Sequence, residues 1–569
     1  MSAVADAFAD APSAAPPSRT GGGWRRPVLA ALATGIVALP GALCAPVLDR
    51  DEARFVQASA QMLEQRDPVN IRFQETARNK KPVGIHWLQA LAAAPAGAEA
   101  RDVVPYRLPS ALGAMLAAAA CAWGAGAFMR GRAALAAGLI LGLSALLSTE
   151  AMIAKTDAVL CGATTLAMAA LARRYAAARG GPAAPRGTRA LLWGAMALGV
   201  LVKGPVAPMV AGFALAALWA ADRDAAWMRR LGWGWGLLLV GLVVGPWAAA
   251  ITVATDGSFW TGAVGGDLAS KVAGGSEGHG GPPGVHALLA PWLLFPSGFL
   301  LVPAAVLAWR RRAEPGVRFA LAWLLPSWLV FELLPTKLPH YPLPLYGALA
   351  WLAADAVVRG EASGRAARVA GAVLALLGGA LFAALPLVAA HLYGGRGASG
   401  WAGLSAGLAL LAGAAAAVGV ATGRPRRGAA SALVLGGGAH MALAGGELPR
   451  LDMLWVSARA AEAVGAAGLD PRNGVTPGPV AVAGYAEPSL VFRLGTATEL
   501  GAPVDAAQAV AEGRPALVEA RADAAFRAAL APTGYRARSV ARISGYDYAD
   551  GRPVTLTLWR PLPAPGDLP

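Results

Sequence analysis

Long apolar runs dominate the chain and predict its secondary structure. From Pro27 to about Gly446, runs of about 20 mostly apolar residues recur between short polar stretches. A helix of that length crosses the hydrocarbon core of a bilayer. The pattern predicts a polytopic α-helical membrane protein with about thirteen transmembrane helices.

Arginine clusters separate the apolar runs and predict the orientation. Each cluster closes an even-numbered run or opens an odd-numbered one, so the positive-inside rule places all of them in the cytoplasm. The N-terminus is then cytoplasmic, and everything after about Gly446 is outside. The clusters are Arg25 with Arg26, Arg130 with Arg132, Arg173 with Arg174, Arg229 with Arg230, Arg310 to Arg312, Arg365 with Arg368, and Arg424 with Arg426 and Arg427.

The pattern changes at both ends of the chain. Residues 1–23 are rich in Ala, Pro and Ser and carry two acidic residues, which indicates a disordered cytoplasmic tail rather than a cleaved signal peptide. Residues 24–446 form the predicted membrane domain. Residues 447–569 have shorter mixed runs, with strands expected in PVAVAGY, PALVEA and PVTLTLW, and predict a small extracytoplasmic α/β domain.

Composition agrees with an integral membrane protein. Hydrophobic residues make up 56% and charged residues 15% of the chain, and the mean hydropathy is +0.49. The net charge of +15 is explained by the cytoplasmic arginines. No basic soluble face with interleaved aromatics is present, which excludes a nucleic-acid partner. The three cysteines lie in or beside apolar runs and are expected to be packing residues.

The lysines are distributed differently from the arginines. Every lysine falls on the predicted outer face, and the six histidines fall on or near it. The positive-inside rule disfavours cations there, and snorkelling would account for only one or two of them. The outer face is therefore expected to bind an anion. The lysines are Lys80, Lys81, Lys155, Lys203, Lys271 and Lys337.

The first outer loop, residues 48–105, opens with the charged stretch LDRDEARFVQ. Asp49 and Glu52 have the spacing of a capping box for a following amphipathic helix. Asp51 and Arg54 then share one face of that helix at i, i+3. Further on, GIHWLQALAAAPAGA contains His86 and is too short to span, so we expect an interfacial segment.

Other outer loops carry the same kind of residues. AKTDAV contains Asp157, LVKGPVAP contains Lys203, and a Gly-rich segment contains Lys271 and His279. Carboxylates and cations at the outer ends of several helices indicate a site for an anionic, phosphorylated lipid. No Walker motif, dinucleotide fingerprint, zinc spacing or nucleophile elbow is present. The segment LPTKLPHYPLP adds Lys337, His340 and Tyr341.

The order DEARF, KKPVGIHW, TDAV, LVKGP and KLPHYPLP resembles the GT-C class of integral-membrane glycosyltransferases. The similarity is to bacterial relatives of protein O-mannosyltransferases and of the lipid A aminoarabinose transferase, and GYAEPSLVF resembles the start of their C-terminal soluble domain. The resemblance implies an inverting transfer of a sugar from a polyprenyl phosphate to a lipid, protein or glycan acceptor on the periplasmic face. It implies that Asp51 is the essential acid. It places Arg54, Lys81, Asp157, Lys203, Lys337 and Tyr341 near the donor phosphate or sugar.

The first loop departs from the aminoarabinose transferases in two ways. Those enzymes have an acidic residue before the Lys-Pro pair, whereas this chain reads Asn79-Lys80-Lys81-Pro82-Val83. A carboxylate suited to a cationic aminosugar is thus replaced by Lys80, which favours a neutral or acidic sugar. His86 stands where the relatives often carry an aromatic residue before Trp.

The chemistry leaves several alternatives open. Cations beside the departing phosphate stabilise the transition state, which suits Lys81, Lys203 and Lys337. Asp51 can deprotonate a hydroxyl acceptor if desolvation raises its pKa. With a phosphate acceptor, Asp51 instead orients a sugar hydroxyl or holds a divalent cation together with Asp157. Further candidates for substrate contact are Glu52, His86, Lys271, His279 and His340.

Two other functions fit parts of the pattern. A flippase or transporter of lipid-linked sugars usually has ionisable residues near the bilayer midplane and an internal repeat, and neither is evident. A glycan polymerase or ligase would use the same face and the same donor.

Overall fold

The computed structural model describes residues 24–97, 101–129, 131–270, 280–361, 364–473 and 478–562. Helices make up most of this part of the chain, and the longest lie before residue 450. The helices up to that point are α1 Arg25–Cys44, α2 Asp51–Gln65, α3 Gly84–Ala93, α4 Val104–Ala125, α5 Gly131–Gly142, α6 Ala145–Ala151, α7 Asp157–Ala178, α8 Thr188–Lys203, α9 Val206–Asp222, α10 Ala226–Arg229, α11 Trp233–Ala254, α12 Ser258–Trp260, α13 Val285–Leu293, α14 Leu301–Arg310, α15 Pro315–Leu333, α16 Tyr346–Arg359, α17 Arg365–Tyr393, α18 Ala398–Ala421 and α19 Pro425–Met441.

Seven helical segments in the described residues are long and apolar enough to cross a membrane. They are α1, α4, α11, α15, α17, α18, and α19 with its continuation to Arg450. The pair α5 and α6, bent by 62°, makes an eighth if it counts as one span. Leucines on α11 and α17, such as Leu242 and Leu385, leave about half or more of their surface uncovered by protein, as expected for lipid-facing positions. The prediction of a polytopic helical membrane protein is confirmed.

Small residues allow the central helices to pack at backbone distance. A Cβ atom added to Gly113 of α4 would lie 2.6 Å from the Cα atom of Val159 in α7. On α17 and α18, Gly379 and Gly413 approach each other in the same way. Close approach through small residues is how membrane helices gain van der Waals contact, because lipid supplies no hydrophobic drive between them. The Ala- and Gly-rich sequence therefore favours a tight bundle.

The first outer loop folds on top of this bundle. It consists of α2, a short antiparallel hairpin of β1 Arg72–Phe73 and β2 Thr76–Ala77, and α3. Gly84, the first residue of α3, packs against the carbonyl group of Leu201 near the end of α8, where a Cβ atom would approach the carbonyl oxygen to 2.6 Å. This contact holds the Lys80-Lys81 turn beside the end of α8, which carries Lys203.

After residue 450 the chain forms a mixed five-stranded sheet of order β4-β3-β5-β7-β6. Strands β3, β4 and β5 run parallel, and β7 is antiparallel to both β5 and β6. Helices α20 and α21 pack on one face, and α22 and α23 on the other. The strands are β3 Ala481–Ala483, β4 Glu499–Gly501, β5 Ala516–Glu519, β6 Ala537–Asp547 and β7 Arg552–Pro561, and the helices are α20 Val456–Ala466, α21 Pro488–Leu494, α22 Pro503–Ala511 and α23 Asp523–Leu530.

Candidate active site

A polar cavity of about 710 Å³ opens beside the N-terminus of α2. Asp51 and Arg54, one helical turn apart on α2, both line it, because i and i+3 positions share a helix face. The β1–β2 hairpin and the turn after it form the opposite wall with Arg78, Lys80 and Lys81. Among the residues that the structure describes, four cationic side chains and, with Asp267, two carboxylates line the cavity.

A narrower apolar groove of about 240 Å³ adjoins the polar cavity. Its walls include Leu160, Phe259 and Phe331 from three different helical segments. The two spaces share one set of lining residues, so polar groups stand where the groove meets the cavity. The shared residues are Lys80, Lys81, Asp267, Thr336 and Tyr341.

The cations around Asp51 determine its protonation state. Burial by itself would raise its pKa, but the positive charges of Lys81, Lys155 and Arg78 outweigh burial and hold the pKa below its ordinary value. The expectation that desolvation raises this pKa is therefore wrong for the site without substrate. Asp51 is a carboxylate at neutral pH.

A buried ionic cluster lies at the C-terminus of α6, the N-terminus of α7 and the C-terminus of α8. Lys203 Nζ lies 2.5 Å from Asp157 Oδ1, and Lys155 Nζ lies 3.0 Å from Glu150 Oε1 and 3.8 Å from Asp157 Oδ2. His340 completes the cluster, with Nε2 3.8 Å from Asp157 Oδ1. Burial lowers the pKa of His340 to about 3, so its imidazole is neutral.

This cluster defines what Asp157 can do. Each of its two carboxylate oxygen atoms faces a lysine ammonium, so a metal ion would have to compete with two fixed cations. The carboxylate instead positions Lys203, which lines the apolar groove and lies 5.5 Å from the Tyr341 ring centroid. The divalent-cation prediction for Asp51 and Asp157 stays a prediction.

Lys337 is placed differently from the prediction. Its Nζ donates hydrogen bonds to the main-chain carbonyl groups of Phe331 at 3.3 Å, Glu332 at 2.5 Å and Leu334. Lys337 thereby caps the C-terminus of α15 and is buried. An ammonium group that satisfies three carbonyls is not available to a donor phosphate, so this assignment is corrected.

Glu52 is also a structural residue and not a substrate contact. Its carboxylate is fully buried and accepts two hydrogen bonds of 2.8 Å from Arg107 of α4. It further accepts main-chain N–H groups of Leu48 and Ala154. The bond from Leu48 resembles the expected capping interaction. The capping role expected of Asp49 is wrong, because its Oδ1 accepts the N–H of Ser489 in the C-terminal region.

The remaining histidine and lysine candidates lie away from the cavity or outside the described residues. His86 is buried between α2 and α3, 2.9 Å from Ser59 Oγ and stacked on Phe55. Burial lowers its pKa to about 3, and it belongs to the packing of the loop rather than to a substrate surface. Lys271 and His279 lie outside the described residues.

Sequence reasoning missed two members of the site. Arg78 lines the cavity, and Glu150 pairs with Lys155 in the ionic cluster. Glu150 precedes Lys155 and Asp157 in the otherwise apolar stretch STEAMIAKTDAV. Charged residues in such an apolar stretch could have indicated a buried ion pair, because burying an unpaired charge costs a large amount of free energy.

The chain is similar in sequence to bacterial sugar transferases. The chain is 30% identical over 311 residues to an undecaprenyl phosphate-alpha-4-amino-4-deoxy-L-arabinose arabinosyl transferase of Pseudomonas paraeruginosa, covering 54% of this chain and 55% of the relative. A relative of the same description from Edwardsiella ictaluri is 29% identical over 368 residues. The matched region spans little more than half the length of the first of these relatives. No family model matches the chain.

The crystal structure of ArnT from Cupriavidus metallidurans bound to undecaprenyl phosphate superposes with a TM-score of 0.68 at 20% identity. The alignment covers 95% of this chain and 98% of that one. The chain has the ArnT fold. The predicted resemblance to the GT-C class and to the aminoarabinose transferases is thereby confirmed. The alignment includes both the helical bundle and most of the C-terminal region of this chain.

Proposed function

We propose that this protein is a glycosyltransferase that moves a sugar from a polyprenyl-phosphate donor to a lipid, protein or glycan acceptor on the periplasmic face of the inner membrane. The observation that carries the proposal is the junction of the polar cavity and the apolar groove at Lys80, Lys81 and Tyr341. An amphiphilic donor has the same division into an apolar chain, a phosphate and a sugar.

The donor can be placed by chemistry along this junction. The polyprenyl chain fits the apolar groove, since burial of its methylene groups is favourable there. The phosphate belongs at the junction, where the Lys80 and Lys81 ammonium groups meet it and Lys203 lies within the groove wall. The sugar then enters the polar cavity with Asp51 and Arg54.

Asp51 changes its proton affinity when the donor binds. The lysine charges that depress its pKa are partly neutralised by the phosphate, so the carboxylate becomes a stronger base in the complex. With a hydroxyl acceptor, the acceptor oxygen bonds to the anomeric carbon, the bond from that carbon to the phosphate oxygen breaks, and Asp51 takes the acceptor proton. The lipid phosphate leaves with the bonding electrons, and the configuration inverts.

The donor lipid and sugar are proposed from different observations. The curated relatives act, by name, with undecaprenyl phosphate, and we propose the same lipid here. The cavity carries Arg54, Arg78, Lys80 and Lys81 against two carboxylates. That balance of charge favours a neutral or acidic sugar over a cationic aminosugar.

We also propose thirteen membrane crossings with a cytoplasmic N-terminus and an outer region after residue 446. Charged residues of α7, α9 and α15 meet at the opposite end of the bundle from the cavity, where Asp222 pairs with Arg179 at 2.8 Å and with Arg318. This arginine-rich end suits the cytoplasm. The crossings are α1, α4, α5 with α6, α7, α8, α9, α11, α13 with α14, α15, α16, α17, α18 and α19.

The proposed function is tested with purified protein in lipid vesicles and a panel of labelled undecaprenyl-phosphate sugars. We expect label to move to a second molecule from a neutral or uronic-acid donor and not from the aminoarabinose donor. Transport of intact donor across the vesicle without transfer would instead identify a flippase. Comparison of lipid-linked sugars and envelope glycans in a deletion strain and its parent then names the acceptor.

A further inference from the structure

Three carboxylates of the C-terminal region converge beside the first outer loop. Glu487 precedes α21, Asp547 ends β6, and Asp550 lies in the turn between β6 and β7. One carboxylate oxygen of each lies within 4.8 Å of those of the other two. Glu487 and Asp547 are buried, whereas Asp550 is about half exposed.

Glu487 has an unsatisfied oxygen atom inside this group. Its side chain is 92% buried, since 8% of its surface is exposed, and its Oε2 has no hydrogen-bond partner. A buried carboxylate oxygen without a partner costs free energy that a bound ligand would recover. The arrangement therefore points to a ligand with positive charge.

Carboxylates outnumber cations around this group. Asp49 adds a fourth carboxylate, which accepts the N–H of Ser489 at 3.0 Å and also makes a side-chain hydrogen bond with Glu487. Arg50 at 3.6 Å and Arg552 at 3.5 Å form ion pairs with Asp550, and the charge of Arg50 also acts on Glu487. Burial and the charges of Asp49, Asp547 and Asp550 raise the pKa of Glu487 to about 8.

We propose that Glu487, Asp547 and Asp550 bind a divalent cation, with Ca²⁺ the best fit. All the protein donors are carboxylate oxygen atoms, which hard cations prefer. Ca²⁺ accepts several protein carboxylates in a flexible geometry, whereas Mg²⁺ usually keeps several waters and takes one or two carboxylates. Three carboxylates whose oxygen atoms all lie within 4.8 Å of one another therefore suit Ca²⁺.

The cation would stabilise the contact between the C-terminal sheet and the first loop. The turn that carries Asp550 also contains Tyr548, whose hydroxyl accepts the N–H of Asp49, and Ala549, whose carbonyl accepts a hydrogen bond from Arg50. Asp49 and Arg50 directly precede Asp51 in the chain. A cation bound by this turn would thus order the start of α2.

Terbium luminescence tests the proposal on the full-length protein in detergent. Tb³⁺ substitutes for Ca²⁺, and Tyr548, which stands between Asp547 and Asp550 in the chain, can sensitise its luminescence. We expect saturable luminescence that Ca²⁺ displaces, with an affinity on the order of 10⁻⁴ M. Glu487→Gln and Asp550→Asn should each weaken binding at least roughly tenfold.

The exposed Glu512→Gln variant in the same region is the matched control and should bind as the unmodified protein does. Asp550→Asn keeps the test decisive if Glu487→Gln fails to fold, because Asp550 is half exposed. Hydrogen exchange of residues 546–552 should slow when Ca²⁺ is added. The proposal would be overturned if no luminescence competed by Ca²⁺ were seen at pH 8, or if both site variants gave the same luminescence as the unmodified protein. Either result would indicate that Asp49 and Glu487 share a proton instead. These readouts do not depend on sugar transfer.

Discussion

At the scale of single residues, Asp49 and Asp51 show how two neighbouring carboxylates acquire different roles. Asp49 accepts the N–H of Ser489 and belongs to the contact with the C-terminal region. Asp51, two residues on, faces the polar cavity and interacts with Lys81, Lys155 and Arg78. Asp49 and Asp51 are only two residues apart in the chain, so the side chains around each carboxylate decide its role.

Asp51→Asn should abolish sugar transfer and leave the protein inserted and folded. The amide keeps the size of the side chain and much of its hydrogen bonding but cannot take a proton. Asp49→Asn is the matched control, since its amide oxygen can still accept from Ser489. The measurement is turnover per folded molecule with an undecaprenyl-phosphate sugar. Equal turnover in the two variants would show that Asp51 has no catalytic role.

Lys81→Met should reduce transfer roughly a hundredfold with little change in folding, as expected for loss of one preorganised charge at the leaving phosphate.

Lys337→Met should behave differently, because Lys337 caps α15 through three carbonyl groups. We expect it to lower thermal stability while the surviving folded protein keeps most of its turnover. Both variants are compared by activity per folded molecule and by melting in detergent. A Lys337→Met protein that is stable but inactive would return this lysine to the phosphate site.

At the scale of elements, the pair of Glu52 and Arg107 holds α1, α2 and α4 together. Arg107 donates to Glu52 and also to the carbonyl groups of Ala42, Ala45 and Pro46 at the end of α1. Both side chains are almost completely buried. Removal of one partner leaves an uncompensated charge out of water.

Arg107→Met should therefore destabilise the protein by about 3–5 kcal/mol. Glu52→Gln should also destabilise it, by more than the loss of a helix cap would. The double variant Glu52→Gln with Arg107→Met should recover part of this loss, because no buried charge is left unpaired. Denaturant titration of the four proteins measures the coupling. Additive effects of the two changes would contradict the ion-pair account.

The contact of α3 with α8 gives a second prediction for elements. Gly84→Val would place side-chain atoms against the Leu201 carbonyl and push the Lys80-Lys81 turn away from Lys203. We expect a large loss of turnover from a protein that still inserts. Gly194→Ala in α8 is the control, since a Cβ atom there meets no other atom within 4 Å. Unchanged turnover in Gly84→Val would show that sugar transfer does not depend on the close contact between α3 and α8.

At the scale of the whole molecule, the separation of lysine from arginine predicts the orientation. A reporter fused after Arg427 should be active only as a cytoplasmic fusion, and one fused after Pro449 only as a periplasmic fusion. The physical reason is the cost of moving clustered cations outward across the membrane. A cytoplasmic signal at Pro449 would place the cavity on the wrong face and overturn the proposed function.

Much of the architecture could be read from local patterns. The apolar runs indicated spanning helices because a bilayer demands about 20 apolar residues of any helix that crosses it. The strands β3 and β5 lie within runs that indicated strands, and β7 contains the third such run. Strand β6 was not predicted, because the exposed positions in ARSVARISGYD carry arginines and serines and give little apolar signal.

The apolar runs and the short motifs predicted the membrane character of the chain, the resemblance to the GT-C class and the residues that gather at one end of the bundle. The packed structure decides which of those charged residues line the cavity and which take part in packing. Asp51 and Glu52 are adjacent in sequence, yet about 100° of helix rotation directs one toward the cavity and the other toward Arg107. Lys81 reaches the junction of cavity and groove, whereas Lys337 binds the end of its own preceding helix. Charge pairing depends on distances of a few ångströms between residues far apart in the chain, and these distances exist only once the helices have packed.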